Sequence, residues 1–443
     1  MSEEVTIIMP VYNPGKYLRP CLDSLLAQTM EDFRIIAIDD GSTDGSWDIL
    51  REYAARDARI LPQQNPYNIG AARTRNMGIQ LAQGEYVVIL DADDYFEPDY
   101  LECLWTACKE NDLDIAICDF YWRDELIGEE YLITPPRKFL TIINRPFNWE
   151  ELPRYIFQLF RFPPYLKMYR RSFLREYGVL FQDLSNSNDV YFSEMSFIYA
   201  NRIMHISTPL LHYRYNTGQQ ISTPRGRKIE CLWLAFLKTY RELCRLGIFD
   251  VLKKGFFSHV AFTACACSGY VSREKESAYF KLWQERGLPS LGMSNLTKEC
   301  FISSFAYQKW KALQKGCHLE CLTTEVLFKE ETYRMFFYES SIRNMGIAHW
   351  GYGKLGKEFC EYAKKYNFQV VEIYDKDCSK WGEYDGISVK SFQECNPSVE
   401  MIVVTNERFI DDVLSQTAGT TLTVFDFTAY CLYGVGFEES ICY

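Results

Sequence analysis

Over the first ninety residues, short apolar runs alternate with stretches of helical period. Residues 5–9 (Val-Thr-Ile-Ile-Met) predict a buried strand. A loop from Pro10 to Gly15 follows, and Leu18, Cys21, Leu22, Leu25 and Leu26 then fall on one helical face. A second strand, Phe33 to Ile38, ends in Asp39-Asp40-Gly41-Ser42, and Thr43 or Ser46 is placed to cap the helix that passes through Ile49 and Leu50. Ile60 begins a short third strand, and Ala71 to Ala82 is helical in pattern. Tyr86 to Leu90 is a fourth strand that again ends in acids, Asp91-Ala92-Asp93-Asp94. Single apolar runs separated by helices predict a mixed, mostly parallel sheet with helices on both faces. Ligands of such sheets gather at the carboxyl ends of the strands, so the loops at Asn13, Asp40 and Asp93 are expected to converge.

From about residue 130 the pattern loosens around Pro135-Pro136 and Pro163-Pro164. After Gly218 it becomes mainly helical and rich in Phe, Tyr, Trp and Leu, up to about Asn344. Strand–helix alternation resumes at Gly346 and runs to about Phe427. A chain of 443 residues exceeds one ordinary core. The expected division is therefore 1–218 (halves 1–98 and 99–218), a helical region 219–344, and a small α/β domain 345–443.

The net charge of −11, without a long Lys/Arg run, argues against a generic nucleic-acid binder. An acidic protein with a phosphorylated ligand needs local compensation, and a divalent cation is the obvious source. Met1-Ser2-Glu3-Glu4-Val5 runs into the first strand without a signal-peptide pattern, and the apolar stretches are too short to span a bilayer. The 16 cysteines form no paired framework. Cys265 with Cys267, and Cys317 with Cys321, lack a second pair at zinc spacing, so buried thiols in a reducing, cytoplasmic setting are expected.

Asp91 and Asp93 follow a buried strand, and alternation lets both carboxylates emerge at one loop mouth. Mg²⁺ or Mn²⁺ takes hard oxygen ligands, one or two protein carboxylates plus phosphate oxygens. An isolated Asp-x-Asp is most often a solvated turn; the neighbouring motifs raise this one. They are Pro10-Val11-Tyr12-Asn13, Ile38-Asp39-Asp40-Gly41-Ser42-Thr43-Asp44, Asn68-x-Gly70, Arg75-Asn76-x-Gly78, Gly84-Glu85-Tyr86 and Asp91-Ala92-Asp93-Asp94. In order and approximate spacing, Val5 to Asp94 resembles the nucleotide-sugar half of the family-2 glycosyltransferases, mostly inverting enzymes with a Rossmann-like sheet. Thr74 stands where that family usually has Ala.

The resemblance implies roles. Pro10, Val11, Tyr12, Asn13, Asp40, Arg75, Asp91, Ala92, Asp93 and Arg214 would bind the nucleotide sugar. Tyr12 would lie against the nucleobase, and Asp40 would accept from a ring N–H, favouring uracil or thymine. Arg75 would approach the base or diphosphate, Asp91 the ribose hydroxyls, and Asp93 the metal. Inverting transfer also needs a general base. The segments Tyr169-Arg170-Arg171-Ser172-Phe173-Leu174 and Ser187-Asn188-Asp189-Val190-Tyr191-Phe192 resemble the family's base region and assign it to Asp189. The bland alternative is a helix N-cap. Asn188 departs from the Glu of many members, and an amide there raises the pKa of Asp189 less than a carboxylate would. His212-Tyr213-Arg214, after a strand end at Leu210-Leu211, resembles the segment that closes the catalytic domain. Either His212 completes the metal shell or Arg214 holds the diphosphate.

Near the C-terminus, Ile347-Ala348-His349-Trp350 precedes Gly351-Tyr352-Gly353-Lys354-Leu355-Gly356, and a second strand ends at Asp375. This matches the dinucleotide fingerprint, in which Gly351, Gly353 and Gly356 shape the phosphate turn and Asp375 meets a ribose. No second nucleotide half or Tyr-Lys pair accompanies it. An architectural or acceptor-positioning module is thus favoured over NAD(P) binding. The reading is a glycosyltransferase dependent on Mn²⁺ or Mg²⁺, using a nucleotide-sugar donor (a UDP-sugar) and a glycan or lipid-linked acceptor. Peripheral contact with the inner membrane surface stays open, as does the oligomeric state. The rivals are a non-catalytic nucleotide-sugar-binding protein and an NAD-dependent sugar-modifying protein.

Overall fold

The structure is a computed structural model that describes residues 3–135, 137–159, 164–215, 217, 228–316, 345–366, 368–384, 386–394, 396–405, 410–417, 420–427 and 441–442. Pro136, Pro163, Gly218, Cys317, Cys321 and Asn344, which entered the sequence reading, lie outside these residues, as does the predicted helical stretch from 317 to 344. Two compact units are present: residues 1–256 with 267–295, and residues 257–266 with 296–443.

The first unit holds nine strands among the described residues: β1 (Val5–Val11), β2 (Phe33–Asp39), β3 (Ile60–Gln64), β4 (Tyr86–Ile89), β5 (Tyr95–Phe96), β6 (Ile115–Asp124), β7 (Glu129–Ile133), β8 (Lys167–Arg170) and β9 (Ile203–Tyr215). They lie in the order β3-β2-β1-β4-β8-β6-β9-β5, with β7 paired to β6. β3, β2, β1 and β4 are parallel, as their single apolar runs predicted. β8 enters antiparallel between β4 and β6, so the sheet is mixed. The odd positions of β1 (Val5, Ile7, Met9) join the core under the Leu18–Leu26 and Tyr100–Asn111 helices. On the opposite face a Cβ on Gly78 would come within 2.2 Å of the Ile8 Cγ2. Gly78 thus lets the Ala71–Leu81 helix sit directly on β1, at the strand whose carboxyl end bears Tyr12 and Asn13.

Two local expectations are corrected. The Ser46–Arg56 helix is preceded by Gly45 at φ +87°, and neither Thr43 nor Ser46 caps it. The chain turns through a left-handed residue there, and Asp44 Oδ1 accepts from the Ser46 N–H at 3.1 Å instead. Leu210-Leu211 is not a strand end either, because β9 runs on to Tyr215 and pairs with both β5 and β6.

The second unit has its own sheet, in the order Gly382–Tyr384, Ile387–Lys390, Val370–Tyr374, Ile347–Trp350, Met401–Val404, Thr423–Asp426 and Ile441–Cys442. The five central strands are parallel and the outer pairings antiparallel. Ile347, Ile373, Met401, Val403 and Phe425 form its core with Phe359 of the Lys354–Lys365 helix.

Candidate active site

The loops that leave β1 and β2 are laced together by the motif residues themselves. Asn13, at φ +49°, takes the Thr43 N–H on its Oδ1 (2.7 Å), while its own N–H donates to Ser42 Oγ (3.0 Å). Gly15 N–H donates to Asp44 Oδ2 at 2.8 Å. Val11 and Ala92 are buried, with their side chains in the core. Tyr12 is the opposite: an aromatic ring left 54% exposed at the end of β1, free to receive a flat ligand.

Asp40 is only 2% exposed. Its Oδ1 accepts from Asn65 Nδ2 (2.8 Å) and the Ile69 N–H (2.9 Å), and its Oδ2 from the Gly70 N–H (2.9 Å). Its first job is therefore to hold the 65–70 loop. A nucleobase N–H would have to use the remaining lone pair on Oδ2.

At the end of β4, Asp91, Asp93 and Asp94 crowd one turn. Burial, with the Asp91 charge beside it, pushes Asp93 up to about 6. Burial, with Asp93 and Asp91 adding to it, holds Asp94 well above the usual carboxylate range. Asp94 accepts the Arg214 N–H on Oδ1 (2.9 Å), while its Oδ2 is buried without a hydrogen-bond partner among the described residues. Arg214 donates through Nη1 to the Asp93 carbonyl (3.3 Å) and stacks 4.6 Å over the Tyr95 ring. Such concentrated negative charge suits a divalent cation. No group of three or more His, Cys, Asp or Glu able to hold a metal exists among the described residues.

Arg75 joins this turn to the segment before the Asp189–Tyr199 helix. It is 8% exposed and donates through Nη2 to Asp91 Oδ1 (2.7 Å) and through Nη1 to Asn188 Oδ1 (3.1 Å). Its guanidinium lies 5.2 Å from the Phe181 ring. The next residue, Asn76, donates to the Phe181 carbonyl (2.8 Å) and accepts the Phe181 N–H (2.9 Å), pairing with it as a strand neighbour would. The Arg75-Asn76 dipeptide therefore fixes the segment that leads into the Asp189–Tyr199 helix. Asp189 is the first residue of that helix and Asn188 occupies the cap position, so the N-cap alternative for Asp189 is removed. Burial raises its carboxyl above the ordinary value, against the pull of Arg75.

His212, expected as a metal ligand, is held by two carboxylates. Its Nε2 lies 2.7 Å from Glu97 Oε1 and its Nδ1 2.7 Å from Glu130 Oε1, while the ring is stacked between Tyr95 (4.2 Å) and Tyr121 (4.9 Å). β9 continues through His212 and places it between β5 and β6.

Residues 6–178 match the family model described as glycosyl transferase family 2. The glycosyltransferase GlyG of Streptococcus pneumoniae is 32% identical over 232 residues, covering 50% of this chain and 74% of that protein. This chain belongs to glycosyltransferase family 2. The putative glycosyltransferase EpsH of Bacillus subtilis is 36% identical over 244 residues, covering 51% of this chain and 65% of that protein. These relatives match only about half of the chain. The S. aureus TarS structure of residues 1–349 with UDP-GlcNAc superimposes with a TM-score of 0.57 at 19% identity, covering 76% of this chain and 93% of that 1–349 chain. At that identity the likeness concerns the fold alone.

Within this family-2 domain, Asp94, Asn76 and Lys167 are site neighbours that the sequence reading did not single out. Asp94 and Asn76 stand inside the motifs; Lys167 is a lone charge alternating with Tyr165 and Tyr169. In the second unit, Gly351 (φ +92°) lies in the turn between strand and helix, Gly353 caps the Lys354–Lys365 helix, and Gly356 stands in its first turn, where a Cβ would lie 1.9 Å from the Gly351 carbonyl oxygen. Asp375, however, is engaged by the protein itself: Oδ2 accepts the Tyr352 N–H (2.6 Å) and Oδ1 the Asp377 N–H (2.9 Å). The first of these bonds ties it to the turn that follows the Ile347–Trp350 strand. Among the described residues no helix is long and apolar enough to cross a membrane.

Proposed function

We propose that this chain is an inverting, metal-dependent glycosyltransferase that moves a sugar from a UDP-sugar to a hydroxyl of a glycan or lipid-linked acceptor, in cytoplasmic assembly of a cell-surface polysaccharide. The observation that carries this is Arg75, which ties Asp91 of the carboxylate turn to Asn188, the residue before Asp189. One buried cation thereby links an acid proposed to bind the donor with the residue that precedes the candidate base, which supports the reading. Tyr12 would stack on the base, and Asp40 would read it through Oδ2. Asp91 would meet the ribose, and Asp93 the metal. Mn²⁺ or Mg²⁺ bound there would neutralise charge developing on the diphosphate.

Asp189 would take the proton of the acceptor hydroxyl as that oxygen attacks the anomeric carbon. The carbon–oxygen bond to the diphosphate breaks, and the nucleoside diphosphate leaves from the opposite face. Desolvation suits Asp189 to this work, because it raises the carboxylate's proton affinity. The test is a donor screen with purified protein, Mn²⁺ and a panel of nucleotide sugars. UDP release from one or more UDP-sugars is expected. Release confined to GDP- or CDP-sugars would overturn the base assignment, and release from none would favour a binding protein.

A further inference from the structure

β6 and β9 run side by side, and beyond the core their shared face turns aromatic. Leu211 of β9 lies in the core, and strand alternation carries Tyr213 and Tyr215 along the same face. Trp122 of β6 is the register partner of Tyr213. Its ring meets Tyr213 edge-on at 5.2 Å and Tyr215 at 5.0 Å. Tyr213 stacks in turn on Tyr165, with 5.3 Å between centroids and 8° between planes. Tyr165 is buried, whereas Trp122, Tyr213 and Tyr215 are each half-buried. The four rings thus make one row that starts in the core and ends at the surface. That row lies beside the carboxylate turn. Arg214, which stands between Tyr213 and Tyr215, gives its N–H to Asp94 Oδ1 (2.9 Å) and its Nη1 to the Asp93 carbonyl (3.3 Å).

We propose that Trp122, Tyr213 and Tyr215 form a subsite for a sugar ring of the acceptor, next to the turn proposed to hold the donor. This deepens the reading of the chain as a glycosyltransferase and rests on it. A pyranose presents a face of C–H bonds, whose hydrogens are electropositive, and a rim of hydroxyls. The face of an aromatic ring is negative and attracts the C–H side. Trp122 Nε1–H and the tyrosine hydroxyls supply polar groups for the rim. Charge selects a sugar over a lipid surface. The β6–β7 hairpin that carries Trp122 sets Asp124, Glu125, Glu129 and Glu130 against Arg123, a balance that suits a neutral ring and opposes an anionic membrane. The acceptor is thereby read through a sugar and not through a lipid tail.

The test uses the full chain with Mn²⁺, the donor identified by the screen, and methyl glycosides and disaccharides of glucose, galactose and N-acetylglucosamine as acceptor probes. One or more probes are expected to speed UDP release, and saturation-transfer NMR should show their ring C–H protons in contact with the protein. Trp122→Leu and Tyr215→Leu should each raise the acceptor KM about threefold to tenfold and weaken that NMR signal, while UDP affinity holds. Trp122→Phe keeps a ring and should stay within about twofold of the native KM. If Trp122→Leu fails to fold, Tyr215→Leu, at the open end of the row, carries the comparison. A native acceptor KM in both folded Leu variants overturns the subsite and leaves the transferase intact. If the donor is hydrolysed but no probe binds or speeds release, the sugar falls as occupant. Loss of sedimentation with phosphatidylglycerol vesicles in the same variants would then give the rings to a lipid surface. If no nucleotide sugar releases its nucleotide, the transferase reading falls and the subsite falls with it.

Discussion

Replacing Asp189 separates chemistry from architecture. Because Asn188 holds the cap position and makes no side-chain capping bond, neither Asp189→Asn nor Asp189→Ala removes a cap. What each removes is a carboxylate at the first helical residue, whose interaction with the helix dipole amounts to about 0.3–1 kcal/mol. Against this stands the desolvation of the same group. Burial raises the folded-state pKa of Asp189 above its unfolded value. Its contribution to stability is therefore fully present below the unfolded pKa, near 3.8, and is lost as pH rises through the folded one. At pH 7 the ionised group opposes folding, so Asp189→Asn should leave the Tm at pH 7 unchanged or slightly raised, and should lose any such gain at pH 4. Turnover behaves differently. A general base contributes about a hundredfold to ten-thousandfold, or about 2.7–5.4 kcal/mol of barrier. Melting curves at both pH values, UDP calorimetry and UDP release measured side by side make the comparison. Near-native turnover in Asp189→Asn refutes the assignment. A large drop in Tm for both variants would show instead that Asp189 is part of the scaffold.

Asp93→Asn should weaken UDP binding in Mn²⁺ far more than in EDTA, since the ion would be shared between Asp93 and the diphosphate; equal losses in both would remove the metal role. Asp40→Ala leaves Asn65 Nδ2 and the Ile69 and Gly70 N–H groups without their acceptor, and should cost at least about 2 kcal/mol of stability. In the native chain UDP should outcompete CDP, and CDP binding as tightly as UDP would exclude Asp40 as the reader of the base. Asn76→Ala breaks both bonds to Phe181. It should lower kcat tenfold or more, by an estimate of about 1.4 kcal/mol of lost positioning, while UDP affinity holds; an unchanged kcat would show that the Phe181 segment is fixed by other contacts.

Hydrophobic period alone located the parallel half of the first sheet. Val5, Phe33, Ile60 and Tyr86 begin strands that pair as expected, because single buried runs between helices have few other ways to be covered. The motif order likewise placed Tyr12, Asp91 and Asp93 at strand ends, where the topology brings loops together. What period could not give was long-range pairing. β8 slots antiparallel between β4 and β6, and β9 runs through His212, since register depends on partners far away in sequence. That is why the placement of His212 between Glu97 and Glu130 was not legible in the sequence. Asp40 and Asp375 show the same limit. A carboxylate's residue type is legible in sequence, but the three donors around Asp40, and the Tyr352 N–H on Asp375, exist only once the loops have closed. Lys167 is fully buried, its ammonium 5.0 Å from the Phe197 ring on a helix that begins more than twenty residues later in the chain. The sequence determined which groups are present and at which ends of strands; the tertiary structure decided which of them lose water, and therefore which charges must answer one another.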